Sequence, residues 1–293
     1  MIGGAPGGAL RSDPPAVALA PDAPLPSGAP VLRRSLCRVA HPRLTTVQHT
    51  PRFLFQDATL LWVLDGQLDL TVGEHRLSTD GAPSLVLVDP GTCADLRKTP
   101  GGAAQRFRSW LLTLNASVLE AFERSSAGMP PAALNDSAPL RSVPLDADLE
   151  ATLRHVGEGA DTLSLSDARL QYRLLDLLAA LHERGHRFQP APGQATTLRL
   201  RSLLGATPER RWTAAHAGQA LAMSEATLRR RLSAEHQRFD ELLADVRMQH
   251  ALMLLQTTGW SIPRIALACG YQSRARFAER FRGRFGYLPS TVR

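Results

Sequence analysis

Apolar positions change their spacing near residue 115, which divides the chain into a strand-rich part and a helical part. Before that point, short apolar runs such as residues 60–64 alternate with turn pairs, among them Asp65-Gly66 and Gly73-Glu74. Asp-Gly is a strong hairpin signal, so it predicts that residues 60–64 pair with the alternating stretch 68–72. Many short strands at close spacing predict a small antiparallel barrel or jelly roll, which commonly encloses a cavity.

A helical spacing of leucines follows and is clearest between Asp167 and Arg184. Two interpretations of this leucine stripe stay open. It packs on the barrel, or it pairs with its own copy across a two-fold axis and forms a dimer interface, and the two can hold together. The five leucines on this face are Leu170, Leu174, Leu177, Leu178 and Leu181.

The last hundred residues contain two helix-turn-helix patterns in tandem. In the first, Thr213 is predicted to start one helix, Ala222-Met223 to form the turn, and Ser224 to start a second helix that ends near residue 235. In the second pattern, Ser261 starts a helix, Gly270 supplies a left-handed turn and Ser273 starts another helix.

The two patterns are joined by a predicted helix over residues 239–256. The second helix of each pattern is its recognition helix, and a rigid connecting helix would hold these two recognition helices at a fixed distance. A separation of about 34 Å, one turn of DNA, would place both in successive major grooves.

These patterns give a domain division. We expect a disordered leader at residues 1–30, which are rich in Pro, Ala and Gly, and a strand-rich domain at 31–184. A linker at 185–197 and a helical domain at 198–293 follow. The expected fold class is α+β with two domains.

The basic charge lies in the helical domain. The net charge is +7, and residues 197–293 carry 16 arginines against 7 acids, whereas residues 1–196 are close to neutral. A basic module beside a neutral one indicates a polyanionic partner for the first. Three scattered cysteines exclude a disulfide framework and fit a reduced cytoplasm, and no apolar run approaches a membrane span.

Residues 198–293 resemble the DNA-binding domain of the AraC/XylS family of bacterial transcription regulators. The segments that carry the resemblance begin at Trp212, at Arg247 and at Ile262. The resemblance implies base-reading positions at Ala226, Arg229, Arg230, Arg274, Ala275, Arg276 and Glu279. The residues expected to contact DNA phosphates are Ser224, Ser273, Arg280, Arg282 and Arg284.

The first unit departs from the family pattern at two positions. Gly218 stands in its first helix, where it lowers helix propensity, and His236 stands where the family often has a turn glycine. The first unit is therefore expected to be looser than the second. Glu279 has two open roles, reading cytosine or pairing with a neighbouring arginine.

The N-terminal half resembles the cupin-like domain of the same family, chiefly in its strand-turn rhythm and in residues 63–70. The expected architecture is thus a cupin-like β-barrel with helices, followed by an all-α domain with two helix-turn-helix units. Candidate residues for an effector pocket are Phe53, Phe55, Trp62, Phe107 and Trp110, with Arg106 or Arg108 as anchors for an acidic group.

Enzyme signatures do not accompany this pattern. The strands hold no His-x-His pair, and a nucleophile elbow, a Walker loop and a Rossmann fingerprint are missing, so neither metal nor cofactor is expected. Cys37 lacks the flanking Pro and His of the cysteine motif that alkylation sensors use.

The sequence therefore predicts a cytoplasmic, nucleoid-associated transcription regulator that binds double-stranded DNA. The resemblance implies an activator that touches RNA polymerase, forms a homodimer and answers to a small ligand or a regulatory protein, without a membrane partner. Two alternatives stay open: a barrel enzyme or stress sensor tethered to DNA, and a regulator controlled by a protein antagonist without a small ligand.

Overall fold

A computed structural model describes residues 32–79, 83–126, 138–162, 164–189 and 195–292. The predicted leader at residues 1–30 lies outside the described residues, as do residues 190–194 of the predicted linker.

The described part before residue 144 consists mainly of strands. They are β1 Leu32–Arg33, β2 Cys37–Ala40, β3 Arg43–Leu44, β4 Gln48–Phe55, β5 Ala58–Asp65, β6 Gln67–Val72, β7 His75–Ser78, β8 Ser84–Val88, β9 Thr92–Thr99, β10 Phe107–Leu114 and β11 Leu140–Val143.

Helices make up most of the rest. They are α1 Ala116–Ser125, α2 Ala147–Asp161, α3 Asp167–Glu183, α4 Ala195–Ala206, α5 Ala214–Ala220, α6 Glu225–Ala234, α7 Phe239–Thr257, α8 Ile262–Ala268 and α9 Arg274–Phe285, with a short 3-10 helix at Pro289–Val292. A β-rich N-terminal region thus precedes a helical C-terminal region, as the expected α+β class requires.

The strands form two antiparallel sheets that face each other. The larger has the order β1-β2-β10-β5-β8-β11, with β3 also paired to β10, and the smaller has the order β4-β9-β6-β7. Within the described ranges no strand pairs across the two sheets. The expected cupin-like barrel is therefore not observed as a closed barrel, because the sheets stay separate.

The hairpin predicted at Asp65-Gly66 is wrong, whereas the turn at Gly73-Glu74 is confirmed. Strands β5 and β6, on either side of Gly66, belong to different sheets, so the chain turns a corner there. Gly66 has φ +83°, and a Cβ at this position would lie 2.5 Å from the Thr99 carbonyl oxygen. A corner of this kind needs a positive φ, as a hairpin turn does, and glycine adopts a positive φ without steric strain.

Helices α1, α2 and α3 cover the outer face of the larger sheet. All five leucines of the stripe on α3 are buried there, none with more than 5% of its surface exposed. The stripe is therefore core, as the packing interpretation expected, and it does not offer a free face to a second copy. Trp62 and Trp110 lie in the same layer, with their ring centroids 6.3 Å apart.

Helix α7 contacts both halves of the protein. Its first half packs Phe239, Leu242 and Val246 into the core of α4, α5 and α6. Its second half joins α8 and α9 in one continuous apolar cluster that extends between the two sheets, where Leu252 and Leu61 are both buried. The helical region is thus docked against the open end of the sheet pair.

Candidate nucleic-acid interface and interdomain slot

The first helix-turn-helix unit forms as predicted. The Thr213 hydroxyl accepts a hydrogen bond from the His216 N–H at 3.2 Å, and the Ser224 hydroxyl accepts one from the Thr227 N–H at 3.1 Å, so both start their helices. Leu228 is fully buried on the inner face of α6.

The outer face of α6 carries the predicted base-reading residues of this unit. Ala226, Arg229 and Arg230 are all exposed, and Arg229 donates to Glu225 at 2.9 Å along the helix. An exposed pair of this kind is weak, so it does not hold Arg229 away from a DNA base.

Backbone strain distinguishes the turns of the first unit from those of the second. Ala222 has φ +58° and His236 has φ +54°, whereas Gly270 and Gly286 occupy the left-handed region of the second unit. A side chain in that region is unfavourable by about 1 to 2 kcal/mol. Close packing explains why glycine occupies position 218, because a Cβ there would lie 2.9 Å from the Met223 carbonyl oxygen.

The second unit is also formed as predicted. The Ser273 hydroxyl accepts from the Arg276 N–H at 3.3 Å, and Gly286 ends α9 with φ +86°. The inner face of α9 buries three phenylalanines, of which Phe277 and Phe281 are fully enclosed. Because the phenylalanines fix the inner face of α9, they also determine which side chains of this helix face solvent.

Four predicted base-reading residues occupy the outer face of α9. Arg274, Ala275, Arg276 and Glu279 are exposed. Glu279 makes no ion pair with any residue that the structure describes, which leaves its carboxylate available to accept from a cytosine amino group.

The predicted phosphate contacts fall into two groups. Ser224 and Ser273 stand at exposed helix starts, where the helix dipole favours an anion, and Arg280 and Arg282 are exposed. Arg284 differs, because its side chain is only 13% exposed and its guanidinium is bound to Asp245 at 2.5 Å.

Arg247 of α7 connects the two units, although the sequence marked it only as the start of a family-like segment and gave it no role. Its guanidinium donates to the Pro208 and Arg210 carbonyl oxygens, each at 2.9 Å, and lies 5.7 Å from the centre of the Tyr271 ring. It therefore ties the loop before α5 to the turn of the second unit. Its acceptors are backbone carbonyl oxygens, which every residue has, so the sequence does not predict this contact.

A slot runs between the sheets and α7. Its outer part has a volume of about 120 Å³, and its lining includes the Arg38–Asp57 ion pair, Gly205 and Gln249. The inner part holds only about 10 Å³, room for one water molecule, and ends at Lys98. Both parts are lined by the same four side chains, namely Phe53, Phe55, Leu111 and Met253.

Three of the predicted effector-pocket residues line this slot, namely Phe53, Phe55 and Phe107. Four do not. Trp62 and Trp110 point to the helix layer on the other side of the sheet, and Arg106 and Arg108 both lie against Asp65, at 3.5 and 2.5 Å. Trp62 lies on strand β5, which is buried on both faces and shows no alternation, so the sequence does not reveal which face of the sheet it occupies.

Lys98, the only lysine of the chain, stands at the inner end of the slot. Its ammonium group donates to Gln256 Oε1 of α7 at 2.8 Å, and Gln256 in turn donates to Gln48 of β4. Burial lowers the pKa of Lys98 from 10.5 to about 7. In the part of the chain that the structure describes, the Ser109 hydroxyl and the Gln48 amide nitrogen have no partner.

One signal in the sequence marks Lys98 as buried. Strand β9 alternates strictly, and Thr92, Ala94 and Leu96 point inward, so Lys98 continues the inward series. A cation on the apolar side of a strand is a candidate for function.

Two of the three cysteine thiols, those of Cys37 and Cys269, are buried. Burial raises the pKa of both Cys37 and Cys269 to about 12, so each stays protonated at neutral pH. The described residues contain no group of three potential metal ligands, and none of their helices has the length and apolar character needed to cross a membrane.

Replacing Ala222 with glycine should stabilise the protein by about 0.5 to 1 kcal/mol, because the left-handed backbone of this turn disfavours a Cβ. The matched change Gly270→Ala should destabilise it by about 2 kcal/mol, since its Cβ would lie 2.7 Å from Arg247 Nη2. Denaturant unfolding of the full chain measures both. A loss of stability in Ala222→Gly would contradict this account.

The unfolding free energy should rise between pH 7 and 8.5 more steeply in the wild type than in Lys98→Met. The folded protein releases the Lys98 proton near pH 7, whereas the unfolded chain keeps it up to about pH 10.5, so the burial penalty disappears as pH rises. The expected difference across this window is about 1 to 2 kcal/mol. Parallel curves for the two proteins would show that Lys98 keeps an ordinary pKa.

Comparison with known proteins supports the assignment of the helical region. A family model described as a helix-turn-helix domain matches residues 218–293. The regulator GadX of Escherichia coli K12 is 39% identical over 79 residues, which is 27% of this chain and 29% of GadX. The urease operon transcriptional activator of Escherichia coli is 35% identical over 91 residues, 31% of each protein.

The regulator YdeO of Escherichia coli K12 is 35% identical over 94 residues, or 32% of this chain and 37% of YdeO. The chain thus matches about a third of the length of each of these relatives.

The whole fold is similar to that of a solved protein. ToxT from Vibrio cholerae, in a structure with a bound unsaturated fatty acid, matches with a TM-score of 0.58 at 16% identity, over 88% of this chain and 95% of ToxT. A second ToxT structure, bound to a methylnaphthyl butenoic acid, also gives a TM-score of 0.58 at 16% identity, over 88% of this chain and 98% of ToxT. The C-terminal helix-turn-helix domain is thus similar to those of the transcriptional regulators GadX and YdeO, in line with the resemblance to the AraC/XylS family.

Proposed function

We propose that this protein is a sequence-specific DNA-binding transcription regulator, controlled through its N-terminal domain. The observation that carries the proposal is the pair of exposed recognition helices, α6 and α9, each started by a serine cap and each with arginines on its outer face. Helix α7 and the Arg247 contacts hold these two helices in one fixed arrangement.

Base reading by α9 rests on three side chains that the domain core does not engage. Arg274 and Arg276 carry guanidinium groups that can donate two hydrogen bonds to guanine, and Glu279 can accept one from cytosine. Arg280 and Arg282, further along the helix, supply sequence-independent attraction to phosphate.

The relatives support a role in transcription, and one of them is named as an activator. We propose activation next to a promoter, with contact to RNA polymerase, in the cytoplasm. A homodimer is also proposed, but it needs a surface other than the leucine stripe of α3, which is buried.

The proposed effector is a small apolar carboxylic acid that binds in the slot. Two solved ToxT structures hold molecules of this class. The inner end of the slot offers an ammonium group on Lys98, the Ser109 hydroxyl and the Gln48 amide, all suited to a carboxylate. Such a ligand must displace some of the side chains that line the slot, among which are Phe53 and Met253, because the inner part holds only about 10 Å³.

Changing Arg276 to alanine should weaken binding to the specific site by about 10- to 100-fold and change binding to random DNA much less, because one guanine contact is lost. The specific site comes from affinity capture of fragmented genomic DNA by the full-length protein, followed by fluorescence anisotropy. Arg282→Ala is the matched control and should weaken binding to both DNAs alike. An equal loss on both DNAs for Arg276→Ala would make that residue a phosphate contact.

Oleate, used as a probe, should raise the melting temperature of the wild-type protein and should do so much less for Lys98→Met. The ammonium group binds the carboxylate, whereas methionine keeps the length and apolar stem of the side chain. Thermal unfolding with oleate and with the uncharged oleyl alcohol measures the effect. A shift of equal size for both probes, or for both proteins, would remove Lys98 from effector binding.

A further inference from the structure

Arg284 lies in the last turn of the second recognition helix, but it contacts the N-terminal domain. Its Nε donates to Asp245 Oδ1 at 2.5 Å within the helical region. Its two other nitrogens donate across the domain boundary, to the Pro51 carbonyl oxygen at 2.9 Å and to the Arg52 carbonyl oxygen at 2.7 Å. One planar guanidinium thus binds three acceptors from two domains.

The acceptor site on strand β4 is a specialised piece of backbone. The pairing of β4 with β9 is interrupted between Thr50 and Phe53, so the two intervening residues bulge out of the ladder. Pro51 has no N–H to pair, and Arg52 is held at φ +48°, with its N–H bound to Asp95 at 2.6 Å. An unfavourable conformation kept by neighbouring contacts calls for a reason in function or assembly.

Asp245 holds the guanidinium from the other side. Its second carboxylate oxygen accepts from Arg201 of α4 at 2.6 Å and from Gln249 at 3.1 Å. The Asp245 side chain is 19% exposed, so water screens these charges only in part. The contacts therefore link α4, α7, α9 and β4 at a single point.

We infer that Arg284 is a positioning residue that attaches the second recognition helix to the N-terminal sheet, and that it does not contact a DNA phosphate. The position of the N-terminal domain then sets the angle at which α9 meets the major groove. This inference rests on the proposed DNA-binding function. It corrects the role that the sequence suggested for Arg284 and leaves Arg282, which is exposed, in that role.

The salt dependence of DNA binding separates the two roles. Each phosphate contact contributes about one unit to the slope of log affinity against log salt. Arg284→Ala should lower affinity for the captured site about tenfold or more with the slope unchanged. Arg284→Lys should do the same, because an ammonium group does not present its donors in the planar arrangement by which the guanidinium reaches these three acceptors. Arg282→Ala, the matched control, should reduce the slope by about one unit.

Two results would overturn the inference. One is a slope reduced by about one unit in Arg284→Ala and restored in Arg284→Lys, which identifies a phosphate contact. The other is wild-type affinity in both variants. Absence of any motif in wild-type capture would instead count against the proposed function.

A second measurement tests the attachment without DNA. Amide hydrogen exchange of the full-length protein should become faster in residues 48–55 and in α9 when Arg284 is alanine, and should stay unchanged in Arg282→Ala. Asp245→Asn, which leaves the DNA-facing surface intact, should accelerate exchange in the same two segments. Unchanged exchange in residues 48–55 for both variants would show that no attachment exists.

Discussion

The burial of helix α7 is the interaction on which both halves of the protein depend. Its apolar side chains complete the core of the first helix-turn-helix unit, the core of the second, and the open end of the sheet pair. Each fully buried leucine contributes about 1.5 to 3 kcal/mol. Because one rigid helix serves all three places, none of them can shift far without disturbing the other two.

Polar side chains also join the two sides of this boundary. Lys98 and Gln48 come from the sheets and meet Gln256 of α7, while Arg284 meets the β4 bulge. Strand β4 therefore forms a wall of the slot and also the acceptor site for α9. A ligand that displaced Phe53 would act on the residue next to the bulge, and the proposed occupancy of the slot would in this way be coupled to the angle of α9.

Local signals in the sequence predicted the helical region well, and nonlocal pairing limited the rest. Serine caps such as Ser224 and Ser273 act within three residues, so they can be read directly from the sequence. Gly66 shows the limit, because a hairpin and a corner between sheets both need its positive φ. Which strand pairs with β5, and which face of β10 meets the helices, depends on residues far away in the chain.

The two reading units are held in different ways, and this asymmetry gives the N-terminal domain a route to the DNA. The first unit has strained turns at Ala222 and His236 and is tied to the protein by α4 and α7. The second has glycine turns and an aromatic core, and Arg284 adds a direct bond to β4. A movement of the sheets would act directly on α9 through the Arg284 contacts. Since tandem reading requires a fixed relation between the two helices, even a small rotation of α9 alone changes which DNA sites both can occupy together.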